Sequence, residues 1–279
     1  MPGSREPFLP VWRVTNGPDR FGKRSRRMTP VRSVASRLPA WVKKPLLRSR
    51  QVARAVPYYG RGRLCPVCGR SSRRFRPFGL ARRADAQCVH CGALERHRLL
   101  WLFLQAKTDL FDGRPKRMLH VAPEPCLQPR LAERLGGGYL TADLFDPRAM
   151  VRMDIMEIQY PDQSFDVIYC SHVLEHVPDD RRAMRELCRV LKSGGWAILL
   201  VPITSGTTFE DASIVDPAER LKAFGQEDHV RRYGPDYVDR LRDAGFSVAV
   251  TEVGDLVDRG AAERMGLAPA SGNIYFCTK

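Results

Sequence analysis

From about residue 117 onward, short apolar runs alternate with stretches whose apolar residues recur at helical spacing. Runs of four to six apolar or β-branched residues suit buried strands, and a 3.6-residue period suits helices buried along one face. Strands are predicted at 117–121, 139–142, 165–170, 196–201, 247–252 and 274–277. Helices are predicted at 126–135, 180–191 and 236–244; in the second, Met184, Leu187 and Leu191 share one face. Ser193-Gly194-Gly195 is read as the stop of that helix. Strand and helix in alternation define a mostly parallel α/β sheet with helices on both faces. Upstream, 94–110 reads as a Leu-rich helix carrying Trp101 and Phe103, placed to dock the preceding segment onto the sheet.

That preceding segment carries Cys65-Pro66-Val67-Cys68-Gly69 and Cys88-Val89-His90-Cys91-Gly92. Two residues between thiolates, with glycine after the second, let backbone N–H groups turn toward the sulfurs. Two such knuckles make a tetrahedral four-sulfur site suited to structural Zn²⁺, with Cys65, Cys68, Cys88 and Cys91 as ligands. His90 or His97 in place of one cysteine is the main variant. Four protein ligands close the coordination shell, so such a metal cannot activate water. Cys126, Cys170, Cys188 and Cys277 sit in apolar runs and read as small buried hydrophobes.

Charge adds a second division. The chain has 279 residues and a formal net charge of +15, but residues 1–118 hold 28 Lys and Arg against 6 Asp and Glu, while 119–279 hold 18 against 25. A basic front favours RNA, an anionic membrane surface or another polyanion, although arginine bias (38 Arg to 8 Lys) weakens that pointer. Residues 1–59 are rich in Pro, Gly, Ser and Arg and are expected to form a flexible arm. The longest central apolar run, 99–104, is too short to cross a bilayer, and the N-terminus lacks a secretory apolar region; a cytoplasmic protein is expected. The expected organisation is thus an arm (1–59), a zinc-ribbon-like module (60–93), a linker helix (94–116) and a catalytic domain (117–279) with a lid or substrate loop at 203–234.

Within that domain the order of acids is informative. The strand at 139–142 runs into Asp143-Leu144, where a carboxylate can accept hydrogen bonds from ribose hydroxyls; a solvated loop acid is the alternative. Met153-Asp154-Ile155 follows, then a segment 160–179 containing Pro-Asp-Gln-Ser-Phe-Asp166 and Val173-Leu-Glu-His-Val-Pro-Asp179, and finally Arg189-Val-Leu-Lys-Ser-Gly-Gly195. With these motifs residues 117–279 resemble the class I S-adenosylmethionine-dependent methyltransferases, and 92–98 resembles the linker of a subset with an N-terminal zinc module. The resemblance implies a Rossmann-like seven-stranded sheet with one antiparallel strand, supplied by 274–277. It implies that Asp143 and Leu144 meet the ribose, that Asp154 meets the adenine amino group, and that Ile155 meets the adenine ring through its backbone. Cys170, Ser171 and His172 would line the methionine side. The first loop departs from the usual glycine-rich pattern: it reads Ala122-Pro123-Glu124-Pro125, with His120 where an acid often stands. Two prolines there supply no N–H, so Glu124 is assigned to the cofactor's ammonium group.

In 203–234, Glu210, Asp228, His229, Arg231 and Arg232 are candidates to orient an acceptor and take its proton. His229 is the first candidate base, with Asp228 and His172 beside it; His176 reads either as a rival or as a structural helix-start residue. The expected reaction is methyl transfer to oxygen or nitrogen of a small-molecule, carbohydrate or lipid-linked acceptor. An RNA methyltransferase gripping its substrate through the basic front, and a binding module whose altered loop has lost the cofactor, are the alternatives.

Overall fold

The computed structural model describes residues 56–79, 82–267 and 271–279. All but the last four residues of the basic arm expected at 1–59 lie outside this set, and the RNA or membrane contact read into that arm lies there too. Among the described residues no helix is long and apolar enough to cross a membrane.

The cysteine module is built from two small antiparallel pairs, β1 (Arg63–Leu64) with β2 (Ser71–Ser72) and β3 (Arg76–Phe78) with β4 (Arg83–Gln87). Helix α1 (Glu95–Lys107) follows. His97, at its third position, accepts the Leu94 N–H on Nδ1 at 3.0 Å, which caps the helix start. Leu99, Leu100, Trp101, Phe103 and Leu104 are buried, as expected for a docking helix.

Strands β5 (Met118–Val121), β6 (Tyr139–Asp143), β7 (Val151–Arg152), β8 (Phe165–Ser171), β9 (Leu191–Leu200), β12 (Ser247–Thr251) and β13 (Ile274–Thr278) form one sheet in the order β12-β13-β9-β8-β5-β6-β7. β13 runs antiparallel to both β9 and β12, while β5 to β9 pair in parallel. The expected Rossmann-like seven-stranded sheet is therefore present. The two-residue edge strand β7 was too short to register as an apolar run.

Helices cover both faces. Successive residues of β13 point to opposite sides: Phe276 meets Phe103 of α1 with ring centroids 5.5 Å apart. Tyr275 meets Tyr237 of another helix (Tyr237–Asp243) at 5.0 Å. In chain order the helices after α1 are α2 (Gln128–Leu135), α3 (Asp180–Val190), α4 (Pro217–Phe224), α5 (Tyr237–Asp243) and α6 (Arg259–Met265). The two short helices α4 and α6 show no apolar periodicity in the sequence, yet each has an aspartate cap, Asp216 and Asp258, and ends at a left-handed glycine.

Ser193-Gly194-Gly195 is not a helix stop. Helix α3 ends at Val190, the chain extends at once into β9, and the glycines lie inside that strand at a shift in its register with β8. A Cβ on Gly195 would lie 2.7 Å from the Asp166 carbonyl oxygen, so close strand approach, not helix termination, requires that glycine.

One buried arginine ties the module to the domain. Arg98 is 0% exposed and donates to the carbonyls of Ala86 (2.8 Å), Ala93 (2.9 Å) and Gly266 (2.8 Å). Its guanidinium also lies over the Phe75 ring, 4.3 Å from the centroid. Gly266 is the left-handed residue after α6, and a Cβ there would lie 2.9 Å from the Phe75 ring.

Candidate active site and metal centre

Four neighbouring parallel strands, β8-β5-β6-β7, present their carboxyl ends along one edge. Ligands of open α/β sheets bind at this edge, where successive connections leave in opposite directions. Val121 of β5 pairs with Cys170 of β8, and just beyond them Ala122 and His172 both take positive φ, 50° and 55°. Left-handed backbone at non-glycine residues is strained, and strain of this kind concentrates at functional sites. The first loop thus keeps a glycine-like conformation without a glycine.

Glu124 stands over this edge. Its carboxylate accepts from Tyr169 Oη at 3.0 Å, pairs with His120 Nε2 at 2.7 Å and has His97 Nε2 at 3.5 Å. Burial pushes the Glu124 carboxyl up, but the His120 hydrogen bond and the nearby His97 ring outweigh it and hold the group well below the usual carboxylate range. His120 is itself 0% exposed, with Nδ1 2.6 Å from Tyr139 Oη. Both its ring nitrogens are engaged within the protein, so its hold is on Glu124 and leaves no nitrogen for a ligand. His97 joins the cysteine module's helix to the same carboxylate, a link invisible in the spacing of residues 97 and 124.

Asp143 closes β6. Its Oδ1 accepts the N–H groups of Phe145 (2.7 Å) and Asp146 (2.8 Å), which fixes the carboxylate at the strand end. Asp154 lies two residues past β7 and accepts the Met156 N–H at 2.8 Å. Leu144 is half-buried beside Asp143, and Ile155 is buried beside Asp154. Cys170 and Ser171 are buried at the end of β8, Ser171 Oγ having no hydrogen-bond partner, and burial pushes the Cys170 thiol far up, so it is no nucleophile.

The segment 203–234 is folded against the domain. β10 (Phe209–Glu210) pairs antiparallel with β11 (Arg231–Arg232), and the Val230 N–H donates to the Glu175 carbonyl at 2.9 Å. Arg231 is buried; it donates to the Leu174, Val177 and Pro178 carbonyls and to Glu210 Oε2 (2.9 Å). Arg231 is thus buried and bonded to the fold through all three guanidinium nitrogens, and its role is to clamp the segment; Arg232 bonds the Thr204 carbonyl. Asp180, at the start of α3, accepts from Tyr233 Oη (2.6 Å) and Arg240 Nη1 (3.0 Å) and completes the clamp.

This clamp delivers His229 to the strand-end loop. His229 is 6% exposed, its ring stands edge-on to His176 with centroids 4.6 Å apart, and its Nε2 has no partner. Burial first, then the neighbouring His176, lowers its pKa from the ordinary histidine value, which favours the neutral imidazole. Asp228 pairs with His176 Nδ1 (3.2 Å), and His172 Nδ1 lies 3.2 Å from Glu175 Oε1. Glu175 has no chemistry legible in the sequence, and His176, a rival base there, gains its neighbour His229 only through the fold, because nothing local says that residue 229 meets them.

In the module, Cys65 and Cys91 Sγ lie 3.7 Å apart, and Cys68 and Cys88 Sγ 3.8 Å apart. A tetrahedral ion with metal–sulfur bonds of about 2.3 Å separates its ligands by about 3.8 Å. The knuckles are alike: Gly69 N–H donates to Cys65 O (2.8 Å) and Gly92 N–H to Cys88 O (3.0 Å), both glycines being left-handed. His90 meets the Ser71 carbonyl and His97 caps α1, so neither displaces a cysteine.

Residues 136–199 match the family profile described as "Methyltransferase domain". Among curated proteins, 118 residues are 33% identical to 27-O-demethylrifamycin SV methyltransferase of Amycolatopsis mediterranei, covering 41% of each chain. A further 115 residues are 29% identical to 2-methyl-6-phytyl-1,4-hydroquinone methyltransferase 1, chloroplastic, of Oryza sativa subsp. japonica, covering 38% of this chain and 35% of that one. The chain thus spans about two fifths, or less, of the length of these relatives. Among solved structures, an S-adenosylmethionine-dependent methyltransferase from Mesorhizobium loti aligns with 65% of this chain and 98% of its own at 18% identity and a TM-score of 0.45. The Burkholderia thailandensis 1,6-didemethyltoxoflavin-N1-methyltransferase, with bound S-adenosylhomocysteine, aligns with 66% of this chain and 75% of its own at 17% identity and a TM-score of 0.44.

Proposed function

We propose that the chain is an S-adenosylmethionine-dependent methyltransferase acting on oxygen or nitrogen of a small-molecule acceptor. The observation that carries this reading is the convergence of Ala122–Glu124, Asp143, Asp154 and Ser171–His172 on adjoining strand ends of the sheet. The matched relatives are named for small-molecule methyl transfer, which favours that acceptor class over RNA.

S-adenosylmethionine, when bound, supplies a methyl group on a sulfonium sulfur. Asp143 and Leu144 hold the ribose, Asp154 and Ile155 the adenine, and Cys170, Ser171 and His172 line the methionine side. Glu124, fixed as an anion by His120, Tyr169 and His97, offers its charge to the ammonium group, while the neutral Ser171 hydroxyl is left to hydrogen-bond. The protein's work is then to align an acceptor lone pair behind the methyl carbon and to receive the acceptor's proton. His229, His172 and Asp228, grouped with Glu175 and His176, form the acceptor side. Cys65, Cys68, Cys88 and Cys91 hold a structural Zn²⁺ that stiffens the module behind α1.

Incubation of the full chain with methyl-labelled S-adenosylmethionine and fractionated cell extract tests this. Label is expected in the small-molecule fraction. Label confined to RNA, or a folded chain that fails to bind S-adenosylhomocysteine by calorimetry, would overturn the reading.

A further inference from the structure

We infer that Glu175, His176 and His229 form a second metal site, for a divalent transition cation, on the acceptor side of the cleft. A carboxylate oxygen of Glu175 and one ring nitrogen each of His176 and His229 lie within 4.8 Å of one another. Two imidazoles and one carboxylate are a donor set for Zn²⁺, Fe²⁺, Co²⁺ or Mn²⁺, and three protein ligands leave coordination positions open.

Two of the donors are otherwise unexplained. Glu175 is 1% exposed with Oε2 lacking any hydrogen-bond partner, and His229 Nε2 is equally orphaned in a buried ring. A buried carboxylate oxygen and a buried ring nitrogen left unpaired are costly, and each such group needs a partner that the protein does not supply. A cation between them satisfies both.

The surrounding contacts orient the donors as metal sites require. Asp228 Oδ2 meets His176 Nδ1 at 3.2 Å, which leaves His176 Nε2 as the lone-pair donor, the carboxylate–imidazole arrangement common behind metal-bound histidines. His172 Nδ1 meets Glu175 Oε1 at 3.2 Å and leaves Oε2 as the ligating oxygen. The backbone bond from Val230 N–H to Glu175 O (2.9 Å) and the Arg231 clamp on Leu174, Val177 and Pro178 fix the segment carrying His229 against the turn carrying the other two. The site is thus assembled across more than fifty residues of sequence by main-chain contacts, not by chance meeting of surface side chains.

A cation here suits an acceptor with an acidic oxygen, such as a phenol, enol or carboxylate, whose oxygen fills an open position and whose hydroxyl pKa falls on binding. That role, though not the metal site, rests on the methyltransferase reading.

The test uses the full chain with its cysteine site zinc-loaded and S-adenosylhomocysteine present. Mn²⁺, which disfavours thiolates, is titrated in and followed by loss of the free-ion electron paramagnetic resonance signal. Wild type is expected to take up one Mn²⁺ per chain. His229→Ala and Glu175→Gln should weaken uptake beyond detection. Asp228→Asn, at a 70% exposed side chain that the fold does not need, should weaken it about tenfold. Wild-type chain that binds S-adenosylhomocysteine but takes up neither Mn²⁺ nor additional Zn²⁺ would overturn the site, as would unchanged uptake by His229→Ala. Manganese uptake without S-adenosylhomocysteine binding would uphold the site and overturn the methyltransferase reading instead.

Discussion

Replacing Arg98 by methionine keeps the apolar stem but removes the cation that joins three segments. The substitution deletes hydrogen bonds of 2.8, 2.9 and 2.8 Å to the Ala86, Ala93 and Gly266 carbonyls and the stacking over Phe75. Hydrogen bonds to a charged donor contribute about 1.5–3 kcal/mol each, so the gross loss from three is about 4.5–9 kcal/mol. Against this, the guanidinium no longer has to be desolvated, a relief of several kcal/mol. The balance is a destabilisation of about 3–5 kcal/mol, typical of removing a buried charged partner. For a domain of this size that corresponds to a fall in Tm of roughly 10 °C. Urea unfolding followed by tryptophan fluorescence, with zinc present, measures it. Because Gly266 belongs to the catalytic domain and Ala86 and Ala93 to the module, zinc release to a chelator should also accelerate. An unfolding free energy within about 1 kcal/mol of wild type would refute the reasoning, since no other change could restore three buried carbonyls.

Three further outcomes follow from the same geometry. Cys88→Ser should lose one equivalent of zinc relative to wild type by metal analysis, and an unchanged zinc content would exclude the four-sulfur site. Tyr233→Phe, which deprives buried Asp180 of a 2.6 Å hydrogen bond, should cost about 1–2 kcal/mol in urea unfolding, and a neutral result would mean that the bond is not formed. The Arg240 hydrogen bond, with help from Arg231 against burial, pulls the Glu210 carboxyl down to about 2 from 4.5. A depressed carboxyl stabilises the fold above its unfolded pKa, and that contribution is lost as pH falls from 4.5 toward 2. Glu210 is partly exposed, so the discounted effect is about 1 kcal/mol; Glu210→Gln should flatten the acid side of the stability–pH curve by that amount, and an unaltered curve would contradict the pairing.

Most of the sheet is readable in the sequence because β5, β6, β8, β13 and the second half of β9 are largely buried and appear as short apolar runs, while the exposed β12 reads as a strand from its valines and threonine. What escaped was whatever depends on distant partners. β7 is two residues paired only at the end of β6, and the Gly194-Gly195 pair looks like a helix stop until Asp166 is seen lying against it. Nothing local marks Arg98 as buried, because one of its acceptors lies 168 residues away. Asp143 is legible because it closes a strand that is itself legible, whereas Asp154, two residues past β7, is marked only by its place in the family resemblance. The cluster around His229 is only half legible: His229, Asp228, His172 and His176 stand out as titratable candidates, whereas Glu175 acquires meaning when β11 is pinned to the turn after β8. Arg231 was misjudged for the same reason, since its carbonyl acceptors lie more than fifty positions earlier.

Calorimetric titration of S-adenosylhomocysteine into wild type and Asp143→Asn is the most direct test of the central claim. The asparagine oxygen still accepts the Phe145 and Asp146 N–H groups, so the strand end keeps its shape while the ribose loses an anionic acceptor. Wild type is expected to bind one equivalent, and the variant to bind at least about tenfold more weakly. Equal affinity in the two folded proteins would show that the nucleoside does not lie beside Asp143.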